Sequence, residues 1–261
     1  MEHFLERPEG RLHYRIDGRE GAPWLLLSNS LGTDHGMWEP QMPLWAQHFR
    51  VLRYDTRGHG KSAPPAGPCT IADLADDALA LLDHAGIARV HFCGLSLGGM
   101  TGMQFAVRHP ARLERLALCN TSAYMGPASN WDTRIAMVNS GGMHAVTDGV
   151  IGRWFTPHFR TEAPERVAKV RQMLLETSVA GYAACCAAIR DMDQRESIKG
   201  IAKAALVIAG STDPATPPAD GKLIAGSIAG AKYVELDAAH LSNWERVEEF
   251  GAAVGEFLLN E

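Results

Sequence analysis

The chain has 261 residues, of which 46% are hydrophobic and 21% are charged, a composition typical of a globular protein with a sizeable core. Its formal net charge of −5 provides no basic surface, so we expect neither nucleic acid nor an anionic membrane as a partner. An anionic ligand would need a local cationic group to hold it against this overall charge.

The N-terminal sequence and the cysteines indicate the cellular compartment in which we expect the protein. The N-terminal stretch MEHFLERPEGR is charged and lacks the apolar region of a secretory signal, and no apolar run approaches the ~20 residues that cross a bilayer. The five cysteines include no C-x-x-C pair and no Cys/His ligand cluster. We therefore expect buried, reduced thiols and a cytoplasmic protein.

Strand-like and helix-like segments alternate along most of the chain. The stretch HFLERPEGRLHYRIDG predicts two strands joined by a turn at 8–10. Further strands are predicted at 24–28, 51–55, 88–94, 115–120, 205–210 and 232–237, and helices near 38–48, 71–84, 97–108 and from 242 onward. Thr70 with Asp73, and Ser242 with Glu245, have the spacing of capping boxes at two helix starts. Apolar strands between amphipathic helices indicate a mainly parallel sheet covered on both faces.

Residues 121 to about 195 interrupt this alternation. Strand-like runs are absent there, and helical periodicity continues through the segment. We interpret it as a helical insertion, which divides the chain into a first core segment at 1–120, a helical cap at 121–195 and a second core segment at 196–261.

One serine stands inside a glycine-rich turn, GLSLG at 94–98, which matches the pattern G-x-S-x-G. The turn follows an apolar strand and opens a helix. In that context a strained turn raises the serine hydroxyl above the edge of the sheet, and Gly94 and Gly98 let the turn pack closely against its neighbours. We therefore predict that Ser96 is a catalytic nucleophile.

Serine is a weak nucleophile at neutral pH, so Ser96 needs a base and a group that orients the base. In a strand–turn–helix site of this kind, the acid and the histidine follow the serine in chain order. Asp213 comes after the strand ALVIAG, and His240 comes after the strand KYVELD. The order and positions predict His240 as the base and Asp213 as its orienting acid.

The tetrahedral intermediate of acyl transfer needs two hydrogen-bond donors for its oxyanion. The backbone NH of Leu97, directly after the nucleophile, is the first candidate. The second should come from the loop after the strand at 24–28, where we choose the backbone NH of Leu31.

Two other sequence features indicate no cofactor. The segment GHGKS at 58–62 is similar to part of a P-loop, but that motif would need glycine where Asp55 stands. The remaining histidines, His59 and His109 among them, show no metal-ligand spacing, and we interpret them as structural or solvated. We expect no metal and no cofactor.

The motifs YDTRGHGKS, GLSLGG, GSTDPATPP and AAHLSNWE together resemble the α/β-hydrolase superfamily over essentially the whole chain. The segments LLLSNSLGTDHGMW, CGLSLGGMTGM, WDTRI, RWFTP and AAHLSNWER resemble, more narrowly, the 3-oxoadipate enol-lactonase family. The resemblance implies an α/β-hydrolase fold: a mainly parallel eight-stranded sheet flanked by helices, with a helical cap. It also implies hydrolysis of a small anionic lactone that carries an acetate arm.

The acetate arm implied by this resemblance calls for a cation, and the arginine fork suits a carboxylate. Arg134, one helical turn after Trp131, is the candidate in the cap, with Trp131 and Trp154 as apolar walls and Ser30 as a further contact. The alternative is that Arg134 is a surface or ion-paired residue and that the tryptophans are the core of the cap.

Two rival functions remain open on the sequence. A general carboxylesterase or perhydrolase would keep the triad and need no cap arginine, and a hydrolase-fold ligand receptor would keep the triad with little turnover. Serine at position 96 argues against the dehalogenase and epoxide hydrolase chemistry that relatives perform with aspartate.

Overall fold

Eight strands form one sheet in the computed structural model, which describes residues 2–260. They are β1 (Glu2–Leu5), β2 (Leu12–Gly18), β3 (Trp24–Ser28), β4 (Arg50–Tyr54), β5 (Val90–Leu95), β6 (Leu113–Cys119), β7 (Ala205–Gly210) and β8 (Lys232–Leu236). Their order is β1-β2-β4-β3-β5-β6-β7-β8. Strand β2 runs antiparallel to β1 and β4, and all other neighbours are parallel, which confirms the predicted architecture.

The apolar composition of the central strands follows from their position between two helical layers. Every residue of β7, with the sequence ALVIAG, is buried, and four of the five residues of β3 are buried. Strands that are covered on both faces need apolar side chains at every position rather than at alternate ones. The carboxyl ends of these parallel strands meet at one edge of the sheet, where the loops converge.

Six helices flank the sheet: α1 (Met42–Trp45), α2 (Ile71–His84), α3 (Leu97–Arg108), α9 (Pro218–Ser227), α10 (Ser242–Glu245) and α11 (Val247–Leu259). The predicted capping box of α2 is confirmed. The Thr70 hydroxyl accepts a hydrogen bond from the Asp73 backbone NH at 3.1 Å, and the Asp73 carboxylate accepts one from the Thr70 NH at 2.7 Å.

Two helix predictions were wrong. The helix expected at 38–48 is a 3₁₀ segment, His35–Gln41, followed by the single turn α1, because Pro40 and Pro43 interrupt regular helical hydrogen bonding. The capping box expected at Ser242 is absent from the described residues, since the Ser242 hydroxyl donates to Asn120 Oδ1 at 2.6 Å. The C-terminal helical region is split into α10 and α11 at Arg246, whose φ of −124° and ψ of 61° are not helical.

Five helices lie between β6 and β7: α4 (Ala128–Gly141), α5 (His144–Trp154), α6 (Pro157–Glu162), α7 (Pro164–Glu176) and α8 (Val179–Asp191). They are anchored to the sheet domain by backbone contacts. A Cβ on Gly58 would lie 2.3 Å from the Cα of Gly181, and the Leu241 NH donates to the Trp154 carbonyl at 3.0 Å. These anchors hold the helical segment over the loops that carry the candidate site.

Across residues 2–260, no single helix has the length and hydropathy needed to span a membrane. Helices α7 and α8 meet that test only when they are taken together, and the two are bent by 93° at the break between them.

Candidate active site

Ser96 stands at the junction of β5 and α3 in a strained backbone conformation. Its φ of 57° and ψ of −116° lie in a region that costs a non-glycine residue about 1–3 kcal/mol. The conformation is held by close packing, because a Cβ on Gly98 would lie 2.0 Å from the Ser28 carbonyl oxygen. The Ser96 NH also donates to the Cys119 carbonyl at 2.9 Å. The local geometry is that of a nucleophile elbow.

Asp213 follows β7, and its carboxylate is buried and fully hydrogen-bonded. Oδ1 accepts from the NH groups of Ala215 and Thr216 at 2.8 and 3.1 Å, and Oδ2 accepts from the Thr216 hydroxyl at 2.8 Å. Burial opposes its ionisation, but the His240 ring and these donors outweigh burial and hold the pKa of Asp213 below its ordinary value. Asp213 is thus an anion and a pure acceptor.

His240 follows β8 and lies against Asp213. Its Nδ1 is 2.8 Å from Asp213 Oδ2, and because an ionised carboxylate only accepts hydrogen bonds, Nδ1 carries the proton. With the proton on Nδ1, Nε2 is the ring nitrogen left to accept a hydrogen bond. Ser96 and His240 line the same cavity, although no hydrogen bond joins their side chains in the part of the chain that the structure describes.

Sequence reasoning missed two residues that hold the acid. Asn120, at the end of β6 with a φ of 42°, donates through Nδ2 to Asp213 Oδ2 at 3.1 Å and to the Ala239 carbonyl at 3.2 Å. The Ser242 hydroxyl in turn fixes Asn120 Oδ1. The rule that located Asp213, a polar residue just after a central strand, also applies to Asn120 and could have identified it.

The two backbone amides chosen as oxyanion donors are free, among the described residues, to donate hydrogen bonds to a ligand. Within residues 2–260, neither the Leu31 NH nor the Leu97 NH has a protein acceptor, whereas neighbouring loop groups are paired. The Gly32 NH donates to His59 Nε2 at 2.9 Å, and burial lowers the pKa of His59, which keeps the ring neutral. The Ser30 hydroxyl is buried without a partner among the described residues.

A cavity of about 360 Å³ joins most of these groups. Its walls include the predicted residues Ser30, Leu31, Ser96, Trp131, Arg134, Trp154 and His240, and also Met100, Met125, Asn130, Arg153, Tyr182, Ile189 and Thr216. Asp213 is not among the lining residues but is hydrogen-bonded to His240 and Thr216, which are. No Asp or Glu is among the cavity-lining residues in the described part of the chain, so the cavity is cationic although the whole chain is acidic.

Arg134 stacks on Trp131, with the guanidinium carbon 4.8 Å from the ring centroid. Trp131 is itself fixed by a 2.8 Å hydrogen bond from Nε1 to the Met125 carbonyl. Arg153 is a second cation in the cavity wall, and sequence reasoning missed it. No motif distinguishes it from other arginines of the helical segment, because the side of α5 that faces the cavity is set by packing.

The histidine-rich cluster of His13, His35 and Asp55 is the one group within residues 2–260 whose donor atoms are close enough to suggest a metal. The two Nδ1 atoms lie 2.7 and 2.8 Å from the Asp55 oxygens. These are hydrogen-bond distances, shorter than the roughly 3.3 Å that separates two ligand atoms each lying ~2.0–2.2 Å from one tetrahedral zinc. The cluster is a hydrogen-bonded support for the loops around it.

Comparison with known proteins agrees with this geometry. The alpha/beta hydrolase fold family matches residues 23–174. 3-Oxoadipate enol-lactonase 2 of Acinetobacter baylyi is 40% identical over 243 residues, 93% of this chain and 91% of that protein. The putative carbamate hydrolase RutD of Agrobacterium fabrum is 30% identical, covering 95% of this chain and 98% of that protein.

A solved structure is similar as well. The crystal structure of the enol-lactonase from Burkholderia xenovorans LB400 matches with a TM-score of 0.96 and 49% identity, covering 98% of this chain and 99% of that one. The agreement extends through both parts of the sheet and the helices between them. The chain therefore belongs to the α/β-hydrolase family and is similar over nearly its whole length to 3-oxoadipate enol-lactonases.

Proposed function

We propose that this protein hydrolyses 3-oxoadipate enol-lactone to 3-oxoadipate, a step of aromatic catabolism in the β-ketoadipate pathway, through an acyl-serine at Ser96. Ester or lactone hydrolysis is the reaction class of the enol-lactonase relatives, and this chain is a hydrolase of that class. The observation that carries the specific proposal is the composition of the cavity. Ser96 and His240 share it with Arg134, and no acidic side chain lines it within residues 2–260, which suits a small anionic ester.

Ring opening uses the hydrogen-bonded pair of Asp213 and His240 together with Ser96, which lines the same cavity as His240. Ser96 Oγ attacks the lactone carbonyl carbon while its proton passes to His240 Nε2, and Asp213 stabilises the imidazolium. The oxyanion accepts hydrogen bonds from the NH groups of Leu31 and Leu97. The bond between the carbonyl carbon and the ring oxygen then breaks. The enol oxygen takes the proton from His240, and the enol tautomerises to a ketone.

Deacylation reuses the same groups in reverse. The enol oxygen released by ring opening stays attached to the acyl chain. Water must therefore reach the acyl-serine ester beside that chain. His240 removes a proton from this water, the hydroxide attacks the acyl carbon, and Ser96 leaves with the proton from His240. The product is a dicarboxylate, one carboxylate more than the substrate.

The helical segment selects the substrate in this proposal. Arg134 binds the carboxylate of the acetate arm, and Trp131 holds the guanidinium in place by stacking beneath it. Trp154 forms an apolar wall, and the unpaired Ser30 hydroxyl supplies a polar contact beside the oxyanion loop. All five cysteines are free and buried, which supports our further proposal of a cytoplasmic enzyme.

This function is tested by measuring the turnover of three substrates by the purified protein: the enol-lactone, p-nitrophenyl acetate and a carbamate. We expect kcat/KM for the enol-lactone to exceed that for p-nitrophenyl acetate by about 10- to 100-fold, although p-nitrophenol is the better leaving group, since a charged hydrogen-bonded anchor is worth about 1.5–3 kcal/mol. Ser96→Ala should lower both rates by at least ~10³-fold, whereas Ser227→Ala, on the exposed side of α9, should change neither.

Each other outcome identifies a rival. Fast ester turnover without lactone turnover would indicate a general carboxylesterase, and a preference for a carbamate would indicate the RutD-like reaction. Inertness toward all three substrates would indicate a ligand receptor.

A further inference from the structure

A second pocket shares a wall with the candidate active site. This α4–α5 pocket, about 210 Å³ in volume, lies between helices α4 and α5 and is lined by Asn130, Thr133, Arg134, Met137, Ala145, Val146, Gly149 and Arg153. Arg134 and Arg153 line both this pocket and the catalytic cavity. The two guanidinium groups therefore both lie in the wall that separates the α4–α5 pocket from the catalytic cavity.

The acidic residues of these helices do not neutralise the pair. Asp132, the sole acid of α4, binds Arg190 at 2.8 Å. Asp148, the sole acid of α5, binds Arg171 at 2.6 Å. Within residues 2–260 neither Arg134 nor Arg153 lies within salt-bridge distance of a carboxylate, so two like charges face each other without a counterion.

The surroundings of Arg153 favour an anion beside it. Burial lowers the pKa of its guanidinium, and the positive charge of Arg134 lowers it further. Tyr182, the nearby phenol, is buried, and burial raises the pKa of its hydroxyl, so Tyr182 stays neutral. A carboxylate held between the guanidiniums would relieve their repulsion and provide the missing counterion.

We propose that Arg153 is a second specificity-determining residue, which binds the carboxylate of the substrate together with Arg134. The inference rests on the proposed function in that it concerns the acid arm of the same substrate. It makes the preference for anionic over neutral esters a property of the pair.

Gly149 offers a way to neutralise Arg153 without removing it. Gly149 lies four residues before Arg153 on α5, and the nearest heavy atom to a Cβ built on it is Arg153 Nη1 at 3.8 Å. A side chain fits there, and replacing a helical glycine stabilises the helix. A glutamate at this spacing forms a favourable i,i+4 pair with the arginine. Glutamine has the same shape and no charge, which makes Gly149→Gln the matched control for Gly149→Glu.

The experiment measures competitive inhibition of p-nitrophenyl acetate hydrolysis by levulinate, a small keto acid with one carboxylate. We expect Gly149→Glu to raise the inhibition constant about 10-fold and Gly149→Gln to change it less than ~2-fold. Arg153→Met should raise it about 10- to 100-fold, and Arg160→Met, which removes an exposed arginine of the same helical segment, should leave it unchanged.

Equal inhibition constants in the two Gly149 variants, or an Arg153→Met value equal to that of the Arg160→Met control, would overturn the proposal. The ratio of kcat/KM for the lactone to that for the ester should fall in parallel in Arg153→Met. Failure of the proposed function would be seen separately, because levulinate binding is measured on ester turnover and requires no activity toward the lactone.

Discussion

Asp55 shows how one buried residue supports the loops beside the site. Its carboxylate accepts from the Nδ1 atoms of His13 and His35, and also from the NH groups of His35 and Lys61 at 2.8 and 2.9 Å. Burial opposes its ionisation, but the hydrogen bonds from His13 and His35 outweigh burial and hold the pKa of Asp55 well below its ordinary value. The folded state therefore keeps this carboxylate charged in acid.

A depressed carboxyl pKa makes stability depend on pH. In the unfolded chain the pKa of Asp55 is about 3.9. The stabilisation of the folded state by the ionised carboxylate is therefore complete above that pH and is lost as the pH falls toward the folded-state pKa. We expect the free energy of unfolding of the wild type to fall progressively as the pH is lowered below about 5. Asp55→Asn should cost at least ~2 kcal/mol at pH 7 and show a shallower drop.

Urea unfolding at several pH values measures this effect. Asp83→Asn, which removes an exposed carboxylate of α2 paired with Arg112, is the control and should follow the wild-type profile. Wild-type and Asp55→Asn profiles of equal slope would show that Asp55 is not the group responsible.

Residues whose role requires a position just after a strand could be predicted, and residues placed by packing could not. Ser96, Asp213 and His240 each follow a strand, so their positions along the chain fixed their neighbourhood at the sheet edge. Arg153 lies on a helix whose orientation depends on its partners, and its sequence context is that of any helical arginine. Ser242 has the spacing of a helix cap, yet its hydroxyl donates a hydrogen bond to the buried side-chain amide of Asn120 instead.

At the scale of elements, the site depends on how closely α3 approaches β3. Gly98, in the first turn of α3, lies against the Ser28 carbonyl at the end of β3. This contact positions the start of the helix, and with it Ser96 and the Leu97 amide. The elbow is thus a packing arrangement between a helix and a strand as much as a turn sequence.

Gly98→Ala tests that arrangement. The added methyl would lie 2.0 Å from the Ser28 oxygen, so the helix start must shift. Loss of one oxyanion donor costs about 10²- to 10³-fold in turnover, and we expect kcat to fall by that order, with a loss of about 1–3 kcal/mol in stability from overpacking. Gly226→Ala in α9, where a Cβ meets open space, is the matched control. Full activity in Gly98→Ala would refute the packing argument.

Element boundaries were predictable where local chemistry determined them. Helix α2 begins at its predicted cap and α3 at its predicted glycine turn, because both starts are set by residues adjacent in sequence. The segment at 38–48 has helical periodicity, but its prolines restrict it to a 3₁₀ segment and one α-turn. The helical periodicity of apolar residues alone does not reveal that prolines restrict the helix.

At the scale of the whole molecule, the sheet domain and the helical segment contribute different parts of the chemistry. The strand ends carry Ser96, His240 and Asp213, which we propose as the nucleophile, the base and the acid, and such a triad suffices for the hydrolysis of many esters. The helices between β6 and β7 carry the arginines, and they give an acidic protein a cationic cavity. In our proposal, reaction type and substrate choice are thus separated along the chain, which explains why the sequence indicated the first more readily than the second.

We propose that Ser96 opens the lactone as an acyl-enzyme, and rapid-quench mass spectrometry of the wild-type protein with 3-oxoadipate enol-lactone would detect this intermediate. Because ring opening expels no fragment, the peptide that contains Ser96 should gain the full mass of the lactone within the first turnover and lose it as 3-oxoadipate accumulates. Formation of 3-oxoadipate with no such adduct on Ser96, or with the adduct on another residue, would contradict the account.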